Sequence, residues 1–202
     1  MRARVARHAI GVALCACAGP VAAHSPLPGI DGFYAGLLHP VSAPDQALAL
    51  LATGLLLGGF AMQRLHWAFG AATIGLAAGL ALGTPTGDPA PWLFGLATLA
   101  ATFAALAPGR ALPLVVLLSL GAGALLGWAS LPDAGPSRDR AFTMAGAATG
   151  AALSLLYIAG CIDLLRDRIR APALCIALRV LAAWIAAIAL LMLALRLGPS
   201  PG

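Results

Sequence analysis

The chain has 202 residues, 61% of them hydrophobic and only 9% charged. Soluble domains carry about 25% charged residues, so the composition excludes a soluble globular fold and points to lipid as the solvent. The formal charge of +5 comes from twelve Arg against seven Asp, with no Lys or Glu; setting aside Arg2, Arg4 and Arg7 leaves nine against seven, or +2, which excludes a nucleic-acid-binding surface.

In chain order, the first element is a secretory signal peptide over residues 1–23. A basic start (Met1 to His8) precedes the apolar run Ala9 to Ala18, a helix-breaking Gly19-Pro20 and the small residues Val21-Ala22-Ala23. Such a run is too short to span a bilayer and has the form that signal peptidase cleaves. Cleavage would leave His24 as the mature N-terminus, with an α-amine and an imidazole able to chelate a transition metal together.

The next stretch places His39, Pro40, Pro44, Asp45 and Gln46 where an apolar segment enters the membrane. Polar side chains at that depth are costly and usually have a partner or a purpose. Residues 31–63 as one helix would run ~50 Å, too long for an untilted span. The prolines predict a break at His39-Pro40, which makes the first piece a separate half-helix ahead of the first true span. Broken helices of this kind expose backbone groups and build solute sites in many transporters. Asp45 has two readings: it can cap the span, with Ser42 as N-cap and Asp45 at N3, or it can serve as a metal ligand beside His39.

Six apolar runs follow, at 44–63, 66–83, 90–107, 111–131, 141–163 and 172–195. Each approaches the ~20 residues that cross a bilayer core. The expected fold is therefore all-α: a polytopic membrane bundle of about six transmembrane helices in a single domain over 24–202. The loops on one side would hold Arg64, Arg110, Arg166, Arg168 and Arg170, and those on the other Arg138, Arg140 and Arg196. The positive-inside rule then puts both mature termini outside, in the periplasm of a bacterial inner membrane. Small residues recur four apart at Gly54/Gly58, Gly75/Gly79, Gly123/Gly127 and Gly146/Gly150. That spacing predicts close helix approach, within the chain or between copies. Cys161 and Cys175 lack metal-site spacing, and His66 follows Arg64 at a span end; both fit structural roles.

The stretch Gly32-Phe33-x-x-Gly36-Leu37-x-His39-Pro40, with Asp45 six residues after the histidine, an Ala23-His24 cleavage site and six short spans, resembles the HupE/UreJ family. These are small bacterial membrane proteins associated with hydrogenase and urease maturation and regarded as nickel or cobalt permeases. The resemblance implies a periplasmic metal entrance made by His39 and Asp45, with His24 as a further ligand. It also locates two departures. Gln46 stands where the family's first motif has a second histidine, and Ala122, Leu126 and Ala129 stand at the His, His and Glu positions of its second motif, while Gly123 and Gly127 keep theirs.

Two functions are therefore expected to compete. One is a permease for a divalent transition metal ion, with no resident cofactor. The other is a non-transporting membrane partner that keeps the fold and binds another membrane protein or a second copy. An enzyme is not expected: there is no Gly-x-Ser-x-Gly, no two-histidine metalloprotease motif and no histidine after His66 to act as a base.

Overall fold

The computed structural model describes residues 32–84, 87–132, 136–169 and 171–198. The expected signal peptide at 1–23 and His24 lie outside them. The described residues form seven helices and no strand: α1 (Phe33–Ser42), α2 (Pro44–Leu57), α3 (Met62–Leu82), α4 (Ala90–Leu106), α5 (Leu112–Ala129), α6 (Ser137–Arg168) and α7 (Pro172–Leu197). Four of them carry a proline at the first or second position, namely Pro44, Pro91, Pro113 and Pro172. The missing N–H costs nothing there, because first-turn N–H groups have no helical partner.

Every one of the six expected apolar runs is helical. Helices α3, α5, α6 and α7 are long and apolar enough to cross a membrane, and α1 with α2 makes a fifth candidate as a pair bent by 73°. Helix α4 has 17 residues, or ~25 Å of rise. Two boundaries differ from the sequence reading. The first turn falls at Gly58 to Ala61, so Gln63, Arg64 and Leu65 lie in α3 rather than in a loop. Helix α6 reaches 32 residues, beyond 141–163 at both ends. Its polar ends continue the helix because no proline or glycine interrupts them.

Connections alternate between two ends of the bundle. The α2–α3 turn and the α4–α5 turn meet at one end, where Gly109 (φ +71°) lets its backbone pass against Gly59. That end carries Arg64, Arg110, Arg166 and Arg168, with Arg179 two turns into α7. At the opposite end Trp128 Nε1 donates to the Thr84 carbonyl at 2.7 Å, and Arg196 pairs loosely with Asp88 at 3.6 Å.

The glycine pairs hold the bundle together. Helices α3 and α5 run parallel, and Gly75 and Gly79 face Gly123 and Gly127 so closely that backbones touch. A methyl group on Gly75 would fall inside the Leu120 carbonyl, and one on Gly123 inside the Ala72 carbonyl. Gly146 and Gly150 of α6 receive α1 at Phe33 and Leu37, with Gly36 pressed against Thr143 in return. Gly54 and Gly58 accept the side chains of Ile158 and Ile162. The bent pair α1–α2 thus follows α6 in the same direction, α1 along its first half and α2 along its second. Lipid gives helices no hydrophobic reason to associate, so this close approach supplies dispersion contact in its place.

The other surfaces face outward. Helix α7 buries only Ala182, Ile185 and Ala189, and leaves Ile176, Trp184 and Leu195 more than half exposed, as suits a lipid-facing helix.

Gly123→Ala should lower the unfolding temperature in detergent, with an overpacking cost of about 1–3 kcal/mol. Gly160→Ala, where an added Cβ meets nothing within 4 Å, should be neutral or stabilising. Equal responses from the two variants would refute the glycine-locked packing.

Candidate functional site

The break between α1 and α2 falls at Ala43 (φ −83°, ψ 121°), four residues later than His39. Pro40 is accommodated inside α1, where the N–H it lacks would have bonded the Gly36 carbonyl. The break instead precedes Pro44, whose ring disfavours helical geometry at residue 43. The expected capping box does not form either. Ala43 is the N-cap, with no side-chain hydrogen bond. The Ser42 hydroxyl turns back to the His39 carbonyl at 3.0 Å, which also accepts from the Ala43 N–H at 3.1 Å. Asp45 still lies in the first turn of α2, where its charge complements the helix dipole.

His39 is exposed on α1, and Asp45 is half-buried on α2. No hydrogen bond or ion pair joins them. Among the described residues no group of three or more His, Cys, Asp or Glu side chains could hold a metal ion. His24, the third residue named from the sequence, lies outside the described residues.

The residue that the break drives into the protein is Gln46. It is 2% exposed. Its Nε2 donates to the Ala129 carbonyl at 3.2 Å, and its Oε1 accepts from the Ser130 hydroxyl at 3.3 Å. Ser130 Oγ also lies 2.7 Å from the Leu126 carbonyl, so one hydroxyl proton serves two acceptors. This amide closes the C-terminal end of α5, where carbonyls lack helical partners.

Gln46 is the first member of a polar series on one seam. Thr53 lies seven residues further along α2 and so returns to the same face; Ser119 lies eleven residues before Ser130 on α5 and does likewise. Helices α2 and α5 run antiparallel, because the start of α2 meets the end of α5. Thr53 then lies ~10 Å below Gln46, and Ser119 ~16 Å below Ser130. Gln46, Thr53, Ser119 and Ser130 are the four buried polar residues of the described chain. Thr53 Oγ1 and Ser119 Oγ have no hydrogen-bond partner among the described residues. A buried hydroxyl without a partner is costly, at about 1–3 kcal/mol, and two on one seam mark a place where water or a solute would be stabilised.

Leu50, Leu57, Ala122 and Leu126 fill the same faces and are buried to within 2%. They close the seam in this conformation. Neither Gly54 of α2 nor Gly121, Gly123 or Gly127 of α5 has its nearest neighbours on the other helix of this pair, so no glycine locks it.

The sequence reading noted Gln46 only as a lost histidine and overlooked Thr53, Ser119 and Ser130. The signal was present in the spacing: isolated polar residues seven and eleven apart in otherwise apolar helices share a face. The structure also brings Gln46 together with Leu126 and Ala129, two segments that the sequence reading singled out separately.

Gln46→Glu should destabilise the protein, because a buried carboxylate would face the Ala129 carbonyl with no cation beside it. Thermal unfolding in detergent checks this, and an unchanged midpoint would place residue 46 in contact with water. Comparison of the chain with protein-family models, with curated proteins and with solved structures finds no match.

Proposed function

We propose that the protein is a membrane permease of the HupE/UreJ type that carries a divalent transition metal ion, nickel or cobalt, across a bacterial inner membrane. The observation that carries this reading is the α2–α5 seam. Its mouth lies at the bent first span, its wall carries oxygen ligand atoms, and it joins the stretch that carries the resemblance, at Gln46, to the segment that departs from the family's second motif, at Ala129. The arginine-rich end of the bundle would face the cytoplasm.

In this reading the ion is captured at the mouth by the exposed imidazole of His39 and the carboxylate of Asp45. Imidazole and carboxylate suit borderline metals. It then exchanges waters for the Gln46 amide oxygen, Thr53 Oγ1 and Ser119 Oγ as α2 and α5 part. Amide and hydroxyl oxygens bind nickel and cobalt weakly, and weak successive sites let an ion leave as well as enter. Gln46 in place of histidine trades affinity for passage.

The alternative is a non-transporting membrane partner. One observation favours it: the described residues hold no cluster of three metal-ligating side chains. In that case Gln46 and Ser130 would serve only to fasten α2 to α5.

Cellular accumulation of radioactive nickel and cobalt in a transport-deficient bacterium separates the two. The permease reading expects uptake above empty vector. His39→Ala should reduce it about tenfold or more, since removing even an outer partner of a metal ligand costs that much. Gln46→His should raise retention of the ion at low external concentration. Absence of uptake in every form, with the protein verified in the membrane, would leave the partner reading.

A further inference from the structure

A small basic cavity lies at the opposite end from His39, apart from the proposed solute path. Its volume is about 50 Å³, and Leu55, Pro108, Arg166, Cys175, Leu178 and Arg179 are among its lining residues. One ordered water needs only ~10–15 Å³, so the space takes a group larger than water. Among the described residues no carboxylate lines it.

Two guanidinium groups reach the cavity from different helices. Arg179, two turns into α7, donates its Nε to the Ala105 carbonyl at 2.7 Å. That bond anchors the plane of the fork, and the terminal N–H groups make no further hydrogen bond within the described residues. Arg166, in the last turn of α6, has its Nε buried with no hydrogen-bond partner among the described residues. Asp163 and Asp167 neighbour it in sequence, yet neither forms an ion pair with it; Arg196–Asp88, at the other end of the bundle, is the ion pair of the described residues. A buried donor on a permanently charged group is costly unless an acceptor meets it. The first turn of α7 also reaches the cavity at Cys175, which adds the positive end of a helix dipole.

We infer that this cavity binds a phosphate group, presented either by an anionic lipid or as the free ion, with Arg166 and Arg179 as its ligands. Guanidinium forks match the paired oxygens of a phosphate. The setting, a basic hollow between spans at the arginine-rich end, is where anionic headgroups dock. Ile162 and Ala182, also at its wall, offer apolar contact for the start of an acyl chain.

The test uses the full-length protein, purified and delipidated in neutral detergent. Thermal unfolding and native mass spectrometry would be run with phosphatidylglycerol, with phosphatidylcholine and with inorganic phosphate. The wild type should unfold several degrees higher with phosphatidylglycerol or with phosphate, and phosphatidylcholine should do little. Stabilisation by the lipid alone assigns the site to a headgroup, and stabilisation by phosphate alone assigns it to a soluble anion; either supports the inference. Arg166→Gln should weaken binding about tenfold, the value of one charge-assisted hydrogen bond. Arg166→Lys, which keeps the charge but not the fork, should fall between, and Arg64→Gln should bind as the wild type does. Without any anion, Arg166→Gln should be as stable as the wild type or more so, because it removes an unpartnered donor. No stabilisation of the wild type by either ligand, an unchanged response in Arg166→Gln, or a loss of stability in that variant without anion would overturn the inference.

Discussion

Close backbone approach through glycine is the constraint on which this bundle depends. In lipid the helices gain nothing by hiding apolar surface from their surroundings, so they hold together where backbones come near enough for dense dispersion contact. Glycine supplies that in two places. Gly75 and Gly79 lock α3 to α5 through Gly123 and Gly127, and Gly36, Gly146 and Gly150 lock α1 to α6. Gly54 and Gly58 carry α2 along the same helix by admitting Ile158 and Ile162. The result is two bodies, α3 with α5 and α1–α2 with α6.

The α2–α5 seam is one of two places where those bodies meet, the other being α3 against α6 around Leu76 and Leu155, and it is built differently. Leucines and alanines alternate there with an amide and three hydroxyls, and two of the hydroxyls lack partners among the described residues. Locked pairs move as units, whereas a seam held by a few hydrogen bonds and incompletely satisfied is the surface across which rigid bodies slide or part. The bend of 73° at Ala43 is what seats Gln46 at the head of that seam. Structure and proposed function therefore meet at one feature, a first span broken by Pro44 whose second half opens into the core.

Much of the architecture was legible in the sequence, because membrane spans are declared by length and hydropathy and glycine pairs by their spacing. All six apolar runs are helices, and all four glycine pairs mark close contacts. The break was misplaced at His39 because two prolines compete for it. Each proline disfavours helical geometry at the residue before it; α1 runs through Pro40, and the chain breaks before Pro44, at Ala43. Ser42 does not cap α2 because the boundary lies one residue later, at Ala43, and its hydroxyl donates to the His39 carbonyl instead. The candidate site was only half legible. Attention to histidine and carboxylate led to His39 and Asp45 at the mouth. The interior polar residues are single substitutions in apolar helices, and only their register across two helices unites them.

The most direct test of the account is whether the seam admits water and solute from the His39 end. Ser119→Cys, in a background with Cys161 and Cys175 replaced by Ala, would be treated in intact vesicles with a small, charged, membrane-impermeant thiol reagent. His39→Cys would serve as the exposed control and Leu117→Cys, on the lipid-facing side of α5, as the apolar one. The account predicts slow labelling at residue 119, fast labelling at 39 and none at 117, with nickel or cobalt protecting residue 119. Labelling at 39 with none at 119 under any condition would contradict it, and the buried hydroxyls would then belong to a closed structural core.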